Sequence, residues 1–591
     1  MFMCGIAGYV GVQPAAPLLT KALERLVYRG YDSAGVATLN GVLTVKKGAG
    51  ALEELEASLG FSKLPGTSGV AHTRWATHGG VTDANAHPHL DCTGTVAVVH
   101  NGVVDNYEEL KGALEAQGHK FSSQTDTEVI PHLIEQEQKQ SLPFLDTVKA
   151  ALAQLKGTYA VLVLSSKHPK ELIAGRCGSP LVLAQTTHGT LAASDTLALL
   201  DHTSEVYYLE DYEMVRLLPE ELSFYDRTGQ RIARTRTHVP WKAEQAAREG
   251  YPHFMLKEIY EQPKVLAAAL HQDPVALEAF MRALSSAQRI VLLGCGTSLH
   301  ACLLGKLRLA PRVSAPIDVC VASEAASLVV PGEGTVVLAV SQSGETMDVL
   351  TAVRALKAKG VRVLSLVNVP GSSLARESEA CLFLNCGPEI GVAATKSYLA
   401  QLALFYLLEA HLAGRGTGEL VALPALVGHA LKLAEMVVPK IAQKLSSHDH
   451  AFYLGRGANA SLAMEAALKL KEIAYIHAEG FAGGELKHGP LALIRKGTPI
   501  VTLIAADAQH ESILTNTQET RARGGYVIGV SDQMASVFDE WIAVPTLSGR
   551  DAKYYPFAAA PALQLLAYHC ALLRGANPDR PVNLAKSCTV L

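Results

Sequence analysis

Up to residue 238 the chain sets short apolar or alternating runs against turns, and segments 94–100, 159–164 and 181–184 read as strands. Segments 16–26 and 127–137 instead place apolar residues at helical spacing. The mixture predicts a sheet-on-sheet core with helices outside it. Between residues 231 and 249 the pattern fades into charged, weakly periodic sequence, which marks a domain boundary. Beyond Tyr251 the character becomes α/β. Arg289-Ile290-Val291-Leu292-Leu293-Gly294 is a buried-type strand, followed by the turn Cys295-Gly296-Thr297-Ser298 and a helical run over 299–309. About 160 residues later Ala451-Phe452-Tyr453-Leu454-Gly455 and a helix through Lys471 repeat that unit. A second strand–turn–helix, 335–340 into 347–359, has its counterpart in 499–505 and a helix through Arg523. Units recurring in the same order predict two copies of one doubly wound α/β domain.

The polar turns of this half carry candidate chemistry. Ser341-Gln342-Ser343-Gly344-Glu345-Thr346 lies between a buried strand and a helix N-terminus, where unpaired N–H groups and the helix dipole favour an anion. Ser341, Ser343, Thr346 and Gln342 supply neutral hydrogen-bonding groups without a Walker lysine, so a sugar monophosphate fits better than a nucleoside triphosphate. A Ser-rich helix cap is the plainer alternative. Further on, Glu465, Lys469 and Glu472 share one helix face at i, i+4 and i+7, either as a buried functional face or as an exposed salt-bridge stripe. His488 stands in a Gly-flanked loop suited to proton transfer. Near the end, Lys586 has mostly apolar neighbours, and a desolvated lysine is a Schiff-base nucleophile.

The N-terminus holds the most specific signal. Cys4 opens Cys4-Gly5-Ile6-Ala7-Gly8, followed by Tyr28-Arg29-Gly30-Tyr31-Asp32. An N-terminal Cys has its own amine beside the thiol, with a pKa near ~8, able to take the thiol proton. That requires Met1-Phe2-Met3 to be absent from the active protein. Downstream come His72-Thr73-Arg74-Trp75-Ala76-Thr77-His78, Asn85-Ala86-His87-Pro88-His89, His100-Asn101-Gly102 and Thr125-Asp126-Thr127-Glu128. An amino-acid substrate needs a guanidinium for its carboxylate, which Arg74 offers, and an anion for its ammonium, which Asp126 offers. The alternative for this pair is a surface ion bridge. His87 and His89 raise the possibility of zinc, but no second ligand cluster shows suitable spacing.

These motifs resemble the N-terminal-nucleophile glutaminase domain of class II glutamine amidotransferases, and the second half resembles a tandem sugar isomerase (SIS) pair. The whole chain from Cys4 is similar to the isomerizing glutamine–fructose-6-phosphate aminotransferases, including Lys257-Glu258-Ile259-Tyr260-Glu261-Gln262-Pro263 and Glu389-Ile390-Gly391-Val392-Ala393-Ala394-Thr395-Lys396. The resemblance implies an αββα glutaminase sandwich over 4–238, a linker and helical lead-in over 239–280, SIS domains over 281–420 and 442–581, and a catalytic tail over 582–591. It implies that Cys4 attacks the glutamine amide, with the Asn101 side chain and the Gly102 backbone N–H holding the oxyanion. Arg74, Trp75, Thr77, His78 and Asp126 would bind glutamine, and Trp75 would gate an internal ammonia channel. Cys295, Gly296, Thr297, Ser298, Ser341, Gln342, Ser343, Thr346, Val392, Ala393 and Ala585 would bind the sugar phosphate. His488 would open the fructose 6-phosphate ring, Lys586 would form the C2 imine, and Glu472, assisted by Lys469, would move a proton between C1 and C2. The product would be glucosamine 6-phosphate, at the entry to amino-sugar biosynthesis. Neither metal nor organic cofactor is implied, because the imine is the electron sink. Ala394 stands where family members commonly carry Ser.

Composition narrows the field without changing it. With 591 residues, 49% hydrophobic, the chain is too long for one domain. A net charge of −4 leaves no electrostatic footprint for nucleic acid. Ten Cys without a CxxC pair suit reduced thiols and a cytoplasmic setting. The apolar segments 397–412 and 557–573 are interrupted by polar residues and read as buried helices, not membrane spans. Expected partners are L-glutamine, fructose 6-phosphate and a second copy of the chain in a homodimer. A glutaminase with another acceptor is disfavoured by the repeated α/β units. A phosphosugar sensor would leave Cys4, Glu472 and Lys586 without purpose.

Overall fold

The computed structural model describes residues 4–547 and 552–586. By its contacts the chain divides into two units, one running to Ala246 and including Ala585 and Lys586, the other spanning Ala247–Leu584.

The first unit is built on two antiparallel sheets. Eight strands form one, in the order Thr237–His238, Glu205–Tyr208, Val182–Thr186, Gly189–Ala193, Gly5–Gly11, Ser68–Arg74, Ser33–Asn40 and Val42–Ala49. Seven form the other: Arg231–Ile232, Glu221–Tyr225, Met214–Leu218, Leu172–Cys177, Gly157–Ser165, Val96–Val104 and His89–Leu90. Alternation along Val96–Val104 shows how the layers stack. Ala97 and Val99 meet Ile6, Val10 and Val70 in the core between the sheets. Val96 and Val98 face outward, against Val129, Ile130, Leu133 and Ile134 of helix Val129–Gln138. Helix Ala15–Leu26 buries Leu19, Leu23 and Leu26 on the other side, completing an αββα sandwich. Apolar residues on both faces make these strands read as continuous runs.

The second unit contains two five-stranded parallel sheets. The first is ordered Ile317–Val321, Arg289–Gly294, Thr335–Ser341, Arg362–Val367, Ala380–Phe383, and the second His477–Ala482, His450–Gly455, Pro499–Ile504, Tyr526–Ser531, Glu540–Ala543. Both therefore have strand order 2-1-3-4-5, and the repeat legible in the sequence is a repeat of topology. Helices Lys396–Leu412, Leu423–Leu445, Ala458–Ala474 and Tyr555–Leu573 contribute to one continuous apolar core. Two segments, Leu420–Leu445 and Ala552–Leu573, are long and apolar enough to span a membrane, with 39% and 83% of their most apolar windows buried inside the protein. The first buries Leu423, Val427, Ala430, Leu431, Ala434, Val438, Ile441 and Leu445, one stripe at helical spacing.

Candidate active sites

Cys4 directly precedes the central strand Gly5–Gly11, whose Gly5 pairs with Thr73 at the end of Ser68–Arg74. The Trp75 N–H donates to Cys4 Sγ at 3.4 Å, and the Cys4 N–H donates to Asn101 Oδ1 at 3.2 Å. Gly30 permits this close packing, since a Cβ there would lie 2.7 Å from the Arg74 carbonyl carbon and from the Trp75 nitrogen. Asp32 Oδ2 accepts the Ala76 N–H at 2.8 Å, so the early Tyr28–Asp32 motif pins the loop after Arg74. Burial pushes the Cys4 thiol up to about 11, against the smaller opposing pull of the Trp75 N–H and the Arg74 charge. A thiol that basic needs a proton acceptor. With Met3 attached, the Cys4 nitrogen is a donor; residues 1–3 lie outside the described residues.

Other groups equip the pocket around the thiol. Asn101 Nδ2 is buried and has no hydrogen-bond partner, a fixed donor suited to an oxyanion. Arg74 is 3% exposed, and its guanidinium is tied to the carbonyls of His78, Gly79 and Gly80. Asp126 is 4% exposed, with Oδ2 accepting the Val104 N–H at 2.8 Å and Oδ1 lying 3.9 Å from His78 Nδ1. Arg74 and Asp126 do not bond each other, so the surface-bridge alternative fails: these are separate buried charges, as a zwitterion requires. Gly102 adopts φ +147°, and a Cβ there would lie 2.1 Å from the Thr158 carbonyl oxygen. Thr77 and His78 are partly exposed beside one another, and Trp75 packs edge-on to Tyr31 with ring centroids 5.3 Å apart. His72, His87 and His89 pack in series, the first pair tilted and the second edge-on, with His89 Nε2 at 3.0 Å from Thr125 Oγ1. Burial drives all three imidazoles down, His72 to about 3, which makes them neutral packing groups.

In the second unit, Gly294 and Ser341 end adjacent parallel strands on either side of the point where the strand order reverses, the usual ligand position in such sheets. The turn after Ser341 is internally braced: the Gly344 N–H donates to Ser341 Oγ at 3.0 Å, and the Glu345 N–H to Ser343 Oγ at 3.1 Å. Ser341 Oγ also lies 3.1 Å from Thr346 Oγ1, just before helix Met347–Lys357. Cys295 precedes helix Gly296–Leu309, in which Ser298 Oγ accepts from Gln401 Nε2 at 3.0 Å.

Helix Ala458–Ala474 of the second repeat reaches this turn of the first. Thr297 Oγ1 donates to Glu465 Oε1 and accepts from Lys469 Nζ, both at 3.0 Å. Lys469 Nζ lies 3.3 Å from Glu465 and 2.7 Å from Glu472, and His300 Nδ1 lies 2.7 Å from Glu465 Oε2. Lys469 and Glu465 are 1% and 2% exposed, which excludes an exposed stripe. Burial alone would lower the Lys469 ammonium, but Glu465 and Glu472 outweigh it and hold the group above its usual range. Lys469 is thus held as a cation that donates hydrogen bonds to its neighbours, a state that opposes imine formation.

The two junction motifs also meet. Glu258, on helix Phe254–Ala269, accepts the N–H groups of Ile390 and Gly391 at 2.5 and 3.1 Å. Lys396 Nζ donates to Glu261 Oε2 at 2.6 Å, and Glu389 Oε1 accepts the Thr395 and Ser397 N–H groups at 3.0 Å. Val392 and Ala393 lie buried in the loop so held.

Sequence comparison matches these features. A glutamine amidotransferase domain model matches residues 72–201, and a SIS domain model matches 283–410 and again 444–574. The glutamine–fructose-6-phosphate aminotransferase [isomerizing] of Pyrococcus horikoshii is 43% identical over 601 residues, covering 100% of both chains. The chain belongs to this family. The enzyme of the same name from Thermus thermophilus is also 43% identical, over 613 residues and all of both chains. A solved structure of the C-terminal domain of the Francisella tularensis glucosamine-fructose-6-phosphate aminotransferase covers 57% of this chain and 100% of its own, at 36% identity and TM-score 0.52. Family membership gives the fold class its names: a glutaminase domain and two SIS domains.

The structure brings together Cys4, Arg74, Asn101 and Asp126 in one unit, and Thr297, Lys469 and Glu472 in the other. His488 ends the short turn Gly483–His488 and is exposed. Ala585 and Lys586 are partly exposed and group with the first unit, and residues 587–591 lie outside the described residues. His300, Glu258 and Glu389 were missed as supporting groups. The partners of His300 and Glu258 lie far away in sequence, and no spacing announces them; Glu389 instead closes the local loop to Thr395 and Ser397.

Proposed function

We propose that this chain makes D-glucosamine 6-phosphate and L-glutamate from D-fructose 6-phosphate and L-glutamine. The observation that carries the reading is the coexistence in one chain of a buried thiol flanked by separate cationic and anionic side chains and a neutral hydroxyl turn at the switch point of an α/β sheet. Family membership supports it. In this reading Arg74 and Asp126 hold the α-carboxylate and α-ammonium of glutamine. Cys4 Sγ adds to the side-chain amide carbon, and Asn101 Nδ2 with the Gly102 N–H takes the oxyanion. Collapse expels ammonia, and water hydrolyses the thioester to glutamate. The turns 295–298 and 341–346 bind the sugar phosphate with Val392, Ala393 and Ala585. His488 assists ring opening, and the Lys586 amine condenses with the C2 carbonyl, releasing water. Ammonia, passed on internally under the control of Trp75, displaces Lys586 from the imine. Glu472 then carries a proton from C1 to C2, with the Lys469 cation assisting from beside it. The reading includes a homodimer acting in the cytoplasm.

Incubation with glutamine and fructose 6-phosphate should yield glutamate and glucosamine 6-phosphate in equal amounts. Glutamate without any amino sugar would overturn the assignment of the acceptor.

A further inference from the structure

On the glutaminase unit, away from the roles assigned above, four side chains from three elements converge. Cys92 lies in the turn after strand His89–Leu90, His119 follows helix Tyr107–Ala116, and His132 and Glu135 are one turn apart on helix Val129–Gln138. Their donor atoms all lie within 4.8 Å of one another. Cys92 Sγ is 3.7 Å from His119 Nδ1 and 3.5 Å from His132 Nδ1, while Glu135 Oε2 is 3.0 Å and 3.5 Å from the same two nitrogens. A tetrahedral zinc ion with ordinary bond lengths has ligand–ligand edges of about 3.3–3.6 Å.

We propose that Cys92, His119, His132 and Glu135 form a structural zinc site. Zinc is the metal class because the set mixes one thiolate, two imidazoles and one carboxylate in a four-ligand cage. The outer contacts agree. Both histidines present Nδ1 inward and turn Nε2 toward an acceptor: His119 to Gln136 Oε1 at 3.4 Å, His132 to Glu128 Oε1 at 3.8 Å. Hydrogen bonds alone serve His132 badly. It is 1% exposed, its Nε2 has no hydrogen-bond partner, and its Nδ1 stands 3.5 Å from both Cys92 Sγ and Glu135 Oε2, the latter a long contact for a nitrogen–oxygen hydrogen bond. A metal on Nδ1 fixes the tautomer with the proton on Nε2, facing the Glu128 carboxylate. Binding replaces the thiol proton of Cys92 with zinc, and that proton leaves to solvent. Cys92 is exposed, which gives the ion an entry path. The bound ion would staple the turn at Asp91, the 119 loop and the helix that follows Asp126, and thereby the segment carrying that carboxylate. Glu128, gripped at 2.7 Å or less by Ser122 and Ser123, extends the same brace.

The test uses the full chain purified without chelator and analysed by elemental mass spectrometry. Wild type should hold about one zinc per chain, and Cys92→Ala with His119→Gln should lose it. Cobalt(II) added to chelator-stripped protein should give tetrahedral d–d bands with a thiolate charge-transfer band that Cys92→Ala lacks. Chelation should lower the melting temperature of wild type and leave the double variant unmoved. Wild type that takes up neither zinc nor cobalt would overturn the site. So would zinc retained at full stoichiometry in the double variant.

Discussion

A buried thiol pushed up to about 11 is a weak nucleophile at neutral pH, so the nitrogen beside Cys4 decides whether it reacts. The folded state favours the protonated thiol, and the thiolate fraction grows only as pH climbs toward that value. Alkylation of Cys4 by iodoacetamide, followed by peptide mapping, should accelerate steadily from pH 8 to pH 11 while Met1-Phe2-Met3 remains attached. Protein beginning at Cys4 should hydrolyse glutamine near neutral pH, and mass spectrometry should find that form alone in the active fraction. Hydrolysis by the extended form at equal rates would remove the amine from the mechanism. Cys4, Arg74 and Asp126 were legible as residue types suited to amide chemistry on an amino acid, and Asn101 only through the family resemblance. What could not be read was the unpartnered Nδ2 of Asn101 and the irregular gaps joining Cys92, His119, His132 and Glu135, which come from a turn, a loop and a helix.

At the scale of elements, two features of the second unit make sharp expectations. Gly344 holds φ +66°, and a Cβ there would lie 2.1 Å from Ser372 Oγ. Gly344→Ala should distort the hydroxyl turn at a cost of about 1–2 kcal/mol. KM for fructose 6-phosphate should rise about tenfold, with glutamine hydrolysis unchanged; an unaltered KM would move the phosphate elsewhere. Lys469→Met removes the counterion between Glu465 and Glu472 and should destabilise the protein by about 3–5 kcal/mol at pH 7. Glu465 sits below its ordinary 4.5 because Lys469 and His300 outweigh the effect of burial. Its contribution is therefore present above pH 4.5 and is lost as pH falls through the lower folded value. Urea midpoints of wild type and variant should converge below pH 4.5, and a constant gap would refute the coupling. The helix face was legible from its i, i+4, i+7 spacing, and the repeated strands from their unbroken apolar runs. Thr297, the hydroxyl that the face grips, belongs to the other repeat, and no local pattern joins the two.

For the whole molecule, the question is whether glutamine chemistry and sugar chemistry can be separated by one substitution. The groups named around the thiol all lie in the segment that ends at Ala246. Imine formation demands an uncharged amine. Glu465 and Glu472 hold Lys469 in its charged form, which opposes that role, and Lys586 is the candidate given by the family resemblance. Lys586→Arg keeps the positive charge and most of the length but cannot add to a carbonyl. It should stop glucosamine 6-phosphate formation while glutamate release continues, so the ratio of amino sugar to glutamate should fall from near unity toward zero. Borohydride with fructose 6-phosphate should reduce an adduct onto Lys586 in wild type and onto nothing in the variant. An adduct on Lys469 instead would mean that the buried ion pair opens during turnover and that the helix, not the tail, carries the imine.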